Sequence, residues 1–116
     1  MKDKEKLNKT EKKAINELIE KLKETYGDNL VKVILYGSKA RGNSTQDSDI
    51  DVMVILKDYD RWEDEFDKIF DFVYEIEERY DYDFLISFNL KKENEFNISK
   101  SPLILNVKNE GISIYG

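Results

Sequence analysis

The 116-residue chain contains no cysteine and no histidine. Without cysteine there is no disulfide scaffold, no zinc–thiolate site and no thiol nucleophile. Without histidine there is no serine–histidine or cysteine–histidine mechanism and no imidazole ligand for a metal. Any general base must then be a carboxylate, a lysine, a tyrosine or metal-bound water. No apolar run approaches membrane-spanning length. The amino terminus, MKDKEKLNKTEKK, is charged throughout and lacks the apolar segment of a signal peptide, so a cytoplasmic location is the default expectation. Acidic residues outnumber basic ones, 25 to 19, for a net charge of −6. Neutralising nucleic-acid phosphates takes clustered Lys and Arg, so direct nucleic-acid binding is not expected. A small nucleotide is not excluded, because a divalent cation offsets local charge.

What the chain does have is enough length for one domain with a real core, residues 1–116, with no repeats and no linkers. Asn8 and Glu11 fit a capping box, and Ile15, Leu18, Ile19, Leu22 and Tyr26 recur at helical spacing up to the terminator Gly27. Leu30 to Tyr36 is apolar and β-branched and reads as a strand, as does DIDVMVIL from Asp49. After the polar break Lys57 to Asp60, a helix is expected from about Arg61 to Tyr80. Its buried stripe is Trp62, Phe66, Ile69, Phe70, Val73, Ile76 and Tyr80; Phe72 and Tyr74 fall off it and are candidates for a partner surface. Asp81 to Phe88 reads as a third strand, Lys91 to Ser99 as a polar segment with a short helix, Leu103 to Glu110 as a helix and Ile112 to Tyr115 as a closing strand. The expected fold is therefore α+β, a small mixed β-sheet with helices packed mainly on one face.

The chemistry concentrates in LYGSKARGNSTQDSDIDV, Leu35 to Val52. Gly37 ends a strand and permits a tight turn and close approach of a ligand. Ser38 is a good N-cap for a short helix through Arg41, and free N–H groups there suit a phosphate. Gly42 to Ser48 is turn-forming material. Asp49 and Asp51 are two residues apart on a strand, so both carboxylates share a face while Ile50, Val52 and Val54 point to a core. Paired carboxylates repel unless a cation lies between them, and oxygen-only ligands suit Mg²⁺ with substrate phosphates. Gly37, Ser38 and Arg41 are thus candidate nucleotide-binding residues, and Asp49 and Asp51 candidate metal ligands.

The pattern Gly-Ser, spacer, Asp-x-Asp between apolar residues resembles the signature of the DNA polymerase β-like nucleotidyltransferase superfamily. Within it, the chain is most similar to the minimal nucleotidyltransferases, antitoxin partners of HEPN-domain toxins, over roughly Leu30 to Tyr115. The resemblance implies ATP as substrate, two Mg²⁺ ions, and transfer of AMP to a hydroxyl with release of pyrophosphate. It further implies an antitoxin of the type VII kind, acting on a tyrosine of a HEPN RNase toxin in a homo- or hetero-oligomer. In this family a third carboxylate on a neighbouring strand completes the metal site and takes the acceptor proton. Asp83, just before the apolar run Phe84-Leu85-Ile86, is the better match for it, with Asp81 the fallback. Lys39 stands where many relatives have arginine and is given no role. Larger members carry an extra helical domain that holds the acceptor; none is seen in this sequence, which points to a partner protein as acceptor. Two other readings remain open: a binding module that neutralises its partner by complex formation alone, and an enzyme modifying a small hydroxyl compound.

Overall fold

In a computed structural model of the chain, residues 7–42 and 49–116 are described. The order is α1 (Lys9–Tyr26), a 3₁₀ turn (Gly27–Asn29), β1 (Leu30–Tyr36), α2 (Gly37–Arg41), β2 (Ile50–Leu56), α3 (Trp62–Arg79), β3 (Ile86–Lys92), α4 (Glu93–Ile98), α5 (Pro102–Glu110) and β4 (Ile112–Tyr115). The four strands form one sheet in the order β3-β2-β1-β4. β1 pairs antiparallel with β2 and β4, whereas β2 and β3 run parallel. A parallel neighbour needs a crossover, and α3 supplies it.

The two faces of the sheet differ. On one, Val33, Leu35, Ile50, Val52, Val54, Leu56, Ile86 and Leu90 are buried against Ala14, Ile15, Leu18 and Leu22 of α1 and Ile69, Val73 and Ile76 of α3. Burying an aliphatic side chain of this size contributes about 1.5–3 kcal/mol. On the other, a smaller cluster of Ile34, Met53 and Ile55 packs under Ile104 and Val107 of α5. Along β2 every residue is buried except Asp51. The long helices thus cover one face, and the short ones cover only part of the other.

The local signals at α1 hold. The Asn8 side chain accepts from the Glu11 N–H at 2.8 Å, and the Asn8 N–H donates to Glu11 Oε1 at 2.9 Å. Three details of α3 depart from the expected stripe, the first being Trp62 at its start, which is 42% exposed. Phe70 is exposed, while Phe72 packs against the large core with the Lys21 ammonium over its ring. The buried seam is Ile69-Val73-Ile76; Phe72 lies on the flank beside Lys21 of α1, and Phe70 on an exposed flank. Gly42 caps α2 in the left-handed region, and the loop expected beyond it, 43–48, lies outside the described residues.

The third strand requires a larger correction. Asp81 and Tyr82 have positive φ angles of 54° and 58°, and the amides of Asp81, Tyr82 and Asp83 donate to carbonyls at the end of α3. The chain winds through a left-handed turn there, which Asp tolerates and a bulky Tyr accepts only under constraint. β3 therefore begins at Ile86, not at Asp81. Side chains of α3 then close its outer edge: Glu77 accepts from the Ile86 N–H at 2.8 Å, and Trp62 Nε1 donates to the Leu90 carbonyl at 3.0 Å.

Candidate active site

Three elements meet at one end of the sheet. Tyr36, the last residue of β1, stands opposite Asp51 in β2, and Asp51 stands opposite Ser87 in β3. Gly37 follows Tyr36 at φ +74°, and a Cβ there would collide with Oδ2 of Asp51. Glycine is thus required twice, by backbone conformation and by the carboxylate seated against it. α2 begins at Gly37 itself, with no side-chain cap. Ser38 is accordingly inside the first turn and not its N-cap, so its own N–H is among those without an intrahelical partner. The structure brings Gly37, Ser38, Arg41, Asp49 and Asp51 to this one end.

Asp51 is held above the ordinary carboxylate range, first by burial and then by the charge of Asp49, with the Arg41 guanidinium pulling it back down. The repulsion expected of a paired Asp-x-Asp is therefore present. Arg41 also donates to Glu110 Oε1 at 3.1 Å, an exposed contact worth at most about 1 kcal/mol. A phosphate could displace it. Tyr36 is half-buried and its hydroxyl accepts from Asn89 Nδ2 at 2.7 Å. Burial pushes that phenol up and the Asp51 charge adds to it, while Asn89 opposes.

α2 is anchored from behind. Lys39 is buried and its Nζ donates to Glu11 Oε2 at 2.8 Å, so the glutamate that completes the α1 capping box also ties α2 to α1. No pattern in the sequence marks a lysine in α2 and a glutamate in α1 as partners.

Asp83 does not join Asp49 and Asp51. It sits in the left-handed turn ahead of β3, and the residue facing Asp51 is Ser87. Among the described residues no three acidic side chains lie so as to hold a metal ion. The oxygen-only pair Asp49–Asp51 still fits Mg²⁺, which commonly takes one or two carboxylates and completes its shell from substrate phosphates and water. Sequence reasoning missed Ser87, Tyr36 and Asn89, because their places follow only from strand register.

Residues 16–116 match the family model described as Polymerase beta, Nucleotidyltransferase. A Methanocaldococcus jannaschii protein provisionally named a protein adenylyltransferase is 47% identical over 45 residues, 39% of this chain and 45% of that protein. The match thus spans less than half of that relative. Among solved structures, a provisionally named nucleotidyltransferase from Sulfolobus solfataricus shares 20% identity at a TM-score of 0.64, covering 89% of this chain and 78% of that one. A toxin–antitoxin structure with AMP-PNP shares 20% identity at a TM-score of 0.55, covering 85% and 71%. At these identities the structural likeness is one of fold. Among the described residues, no helix is long and apolar enough to cross a membrane.

Proposed function

The chain belongs to the polymerase beta nucleotidyltransferase family, and from that premise we propose that it transfers AMP from ATP to a hydroxyl of a partner protein. The observation that carries this reading is the seating of Asp51 against Gly37, with Asp49 beside it, at the start of a helix. Gly37 and Ser38 would receive the phosphates on free N–H groups, and Arg41 would leave Glu110 to neutralise phosphate charge. Asp49 and Asp51 would hold Mg²⁺, which when bound neutralises the phosphates and stabilises the entering and leaving oxygens. In the transfer the acceptor oxygen bonds the α-phosphorus and the α–β anhydride bond breaks. Pyrophosphate leaves with the electron pair and the hydroxyl proton passes to solvent. We assign the metal to two carboxylates, with Asp83 outside the set. The relative's name and the toxin–antitoxin neighbour support a protein acceptor, and a tyrosine of a HEPN-domain toxin is the candidate.

The test mixes the purified chain with Mg²⁺, ATP labelled on the α-phosphate and the product of the adjacent gene. Label is expected on a partner hydroxyl and is expected to vanish in Asp49→Asn and Asp51→Asn. Full activity in both variants would sink the proposal. One observation favours a second reading: the place facing Asp51 is a serine and not a carboxylate. If Asp51→Asn still rescues cells from the partner, complex formation alone accounts for neutralisation.

A further inference from the structure

Among the described residues, nothing covers one flank of α3. Phe70 and Tyr74, one turn apart, are 51% and 48% exposed. Tyr82, 48% exposed, sets its ring 6.2 Å from that of Tyr74, and Leu85 beyond it is 50% exposed. Tyr82 is displayed by the left-handed turn, a conformation a bulky residue adopts only where its surroundings hold it there. Leu85 in turn accepts from the Ile50 N–H at 2.9 Å, which puts the end of this patch directly beside Asp49 and Asp51. The patch therefore runs along α3 and ends at the rim of the candidate active site.

The rim of the patch is of one sign. Glu63, Asp67, Asp71 and Glu78 recur at helical spacing with Phe70 and Tyr74, and Asp81 and Asp83 follow in the turn; all are exposed. None of these carboxylates has an ion-pair partner among the described residues. The helix does carry cations, but on its other flank. Lys68 pairs with Glu65, and Arg79 pairs with Glu17 of α1. The same face of a second copy would meet it with like charge, and so would a nucleic acid. Its complement is a surface of Lys and Arg with a place for aromatic rings.

We propose that the Phe70–Tyr74–Tyr82–Leu85 face docks a partner protein through a basic surface and so brings the acceptor hydroxyl to Asp49 and Asp51. This rests on the reading that the acceptor is carried by a protein. The aromatic rings anchor, and the carboxylates steer and set orientation.

The test measures affinity and label transfer separately, with the adjacent gene's product as the probe. Variants are Phe70→Ser with Tyr74→Ser, and Asp67→Lys with Asp71→Lys; the control is Glu20→Lys with Glu24→Lys on the exposed side of α1. Each variant is first shown to fold by circular dichroism and to bind ATP as the parent does. Both face variants are expected to weaken binding at least tenfold, the parent affinity to fall steeply between low and high salt, and the control to stay within twofold. Unchanged affinity in both face variants, or no complex with the parent chain, overturns the docking face. Label transferred with unchanged affinity in those variants leaves the transfer reading standing and removes this one. A complex lost in the face variants, with no label in any sample, does the reverse.

Discussion

Two segments of the chain carry the same pattern, an aspartate pair two residues apart just ahead of an apolar run, and they end in opposite structures. Asp49-Ile50-Asp51 enters an inner strand of the sheet, where Asp51 is its one residue not fully buried. Asp81-Tyr82-Asp83 winds through a left-handed turn and stays exposed, with the edge strand starting only at Ile86. What separates them is the chain before each pair. α3 runs directly into Asp81, and its last carbonyls capture the amides of Asp81, Tyr82 and Asp83. The period-two rule that places both carboxylates on one face holds only once strand geometry has begun. On the proposed reading, a carboxylate pair serves as a site when a strand presents it to another element, and Asp51 is seated against Gly37.

The contrast can be broken most severely at Asp51. Asp51→Asn is expected to lower AMP transfer by about 10³-fold, roughly 4 kcal/mol of transition-state stabilisation, read as initial rates of label transfer. Gly37→Ala should follow at about 10²-fold, because the side chain collides with Asp51 Oδ2 and the left-handed φ costs on the order of 1–2 kcal/mol. Denaturant unfolding would show the second cost separately from the first. Placing the missing carboxylate sharpens the comparison from the other side. Ser87→Asp, opposite Asp51, should tighten Mg²⁺ binding about tenfold by calorimetry, and a weaker ion would contradict the register argument. Asp83→Asn should change transfer by no more than about twofold.

The smallest expected effect concerns pH. The Glu17 carboxylate accepts from the Tyr80 hydroxyl at 2.6 Å and pairs with Arg79, and these contacts, Tyr80 first, hold it below its ordinary value of 4.5. A depressed folded-state value means the contribution is present above the unfolded value and is lost as pH falls through the folded one. The protection factors of the Tyr80 to Asp83 amides, their exchange rates taken relative to the intrinsic rate at each pH, should therefore fall as pH drops below that ordinary value, with global stability little changed. Glu17→Gln should remove this dependence, and its persistence in the variant would assign it to other carboxylates.

Much of the architecture was legible because local signals agreed with the fold. Asn8 and Glu11 cap α1 as their spacing implies, β1 and β2 follow their apolar runs, and Gly37 with Asp51 meet as a turn and a strand face should. Beyond the start of β3 and the Lys39–Glu11 tie, further features were not legible. Phe70 and Phe72 exchanged roles because α1 covers one flank of α3 and, among the described residues, nothing covers the other. Ser38 fell inside α2 because the helix starts directly at the end of β1, from Gly37. Ser87 and Asn89 could not be seen as neighbours of Asp51 and Tyr36 without the parallel register, which α3 and its turn determine.

The central claim is that the first aspartate pair, and not the second, holds the metal and its nucleotide. Paramagnetic broadening of backbone amide signals by Mn²⁺ in the presence of a non-hydrolysable ATP analogue tests it most directly. Losses are expected at Gly37, Ser38, Asp51 and Ser87, and are expected to be absent in Asp51→Asn. Broadening centred on Asp81 to Asp83 and indifferent to that substitution would contradict it.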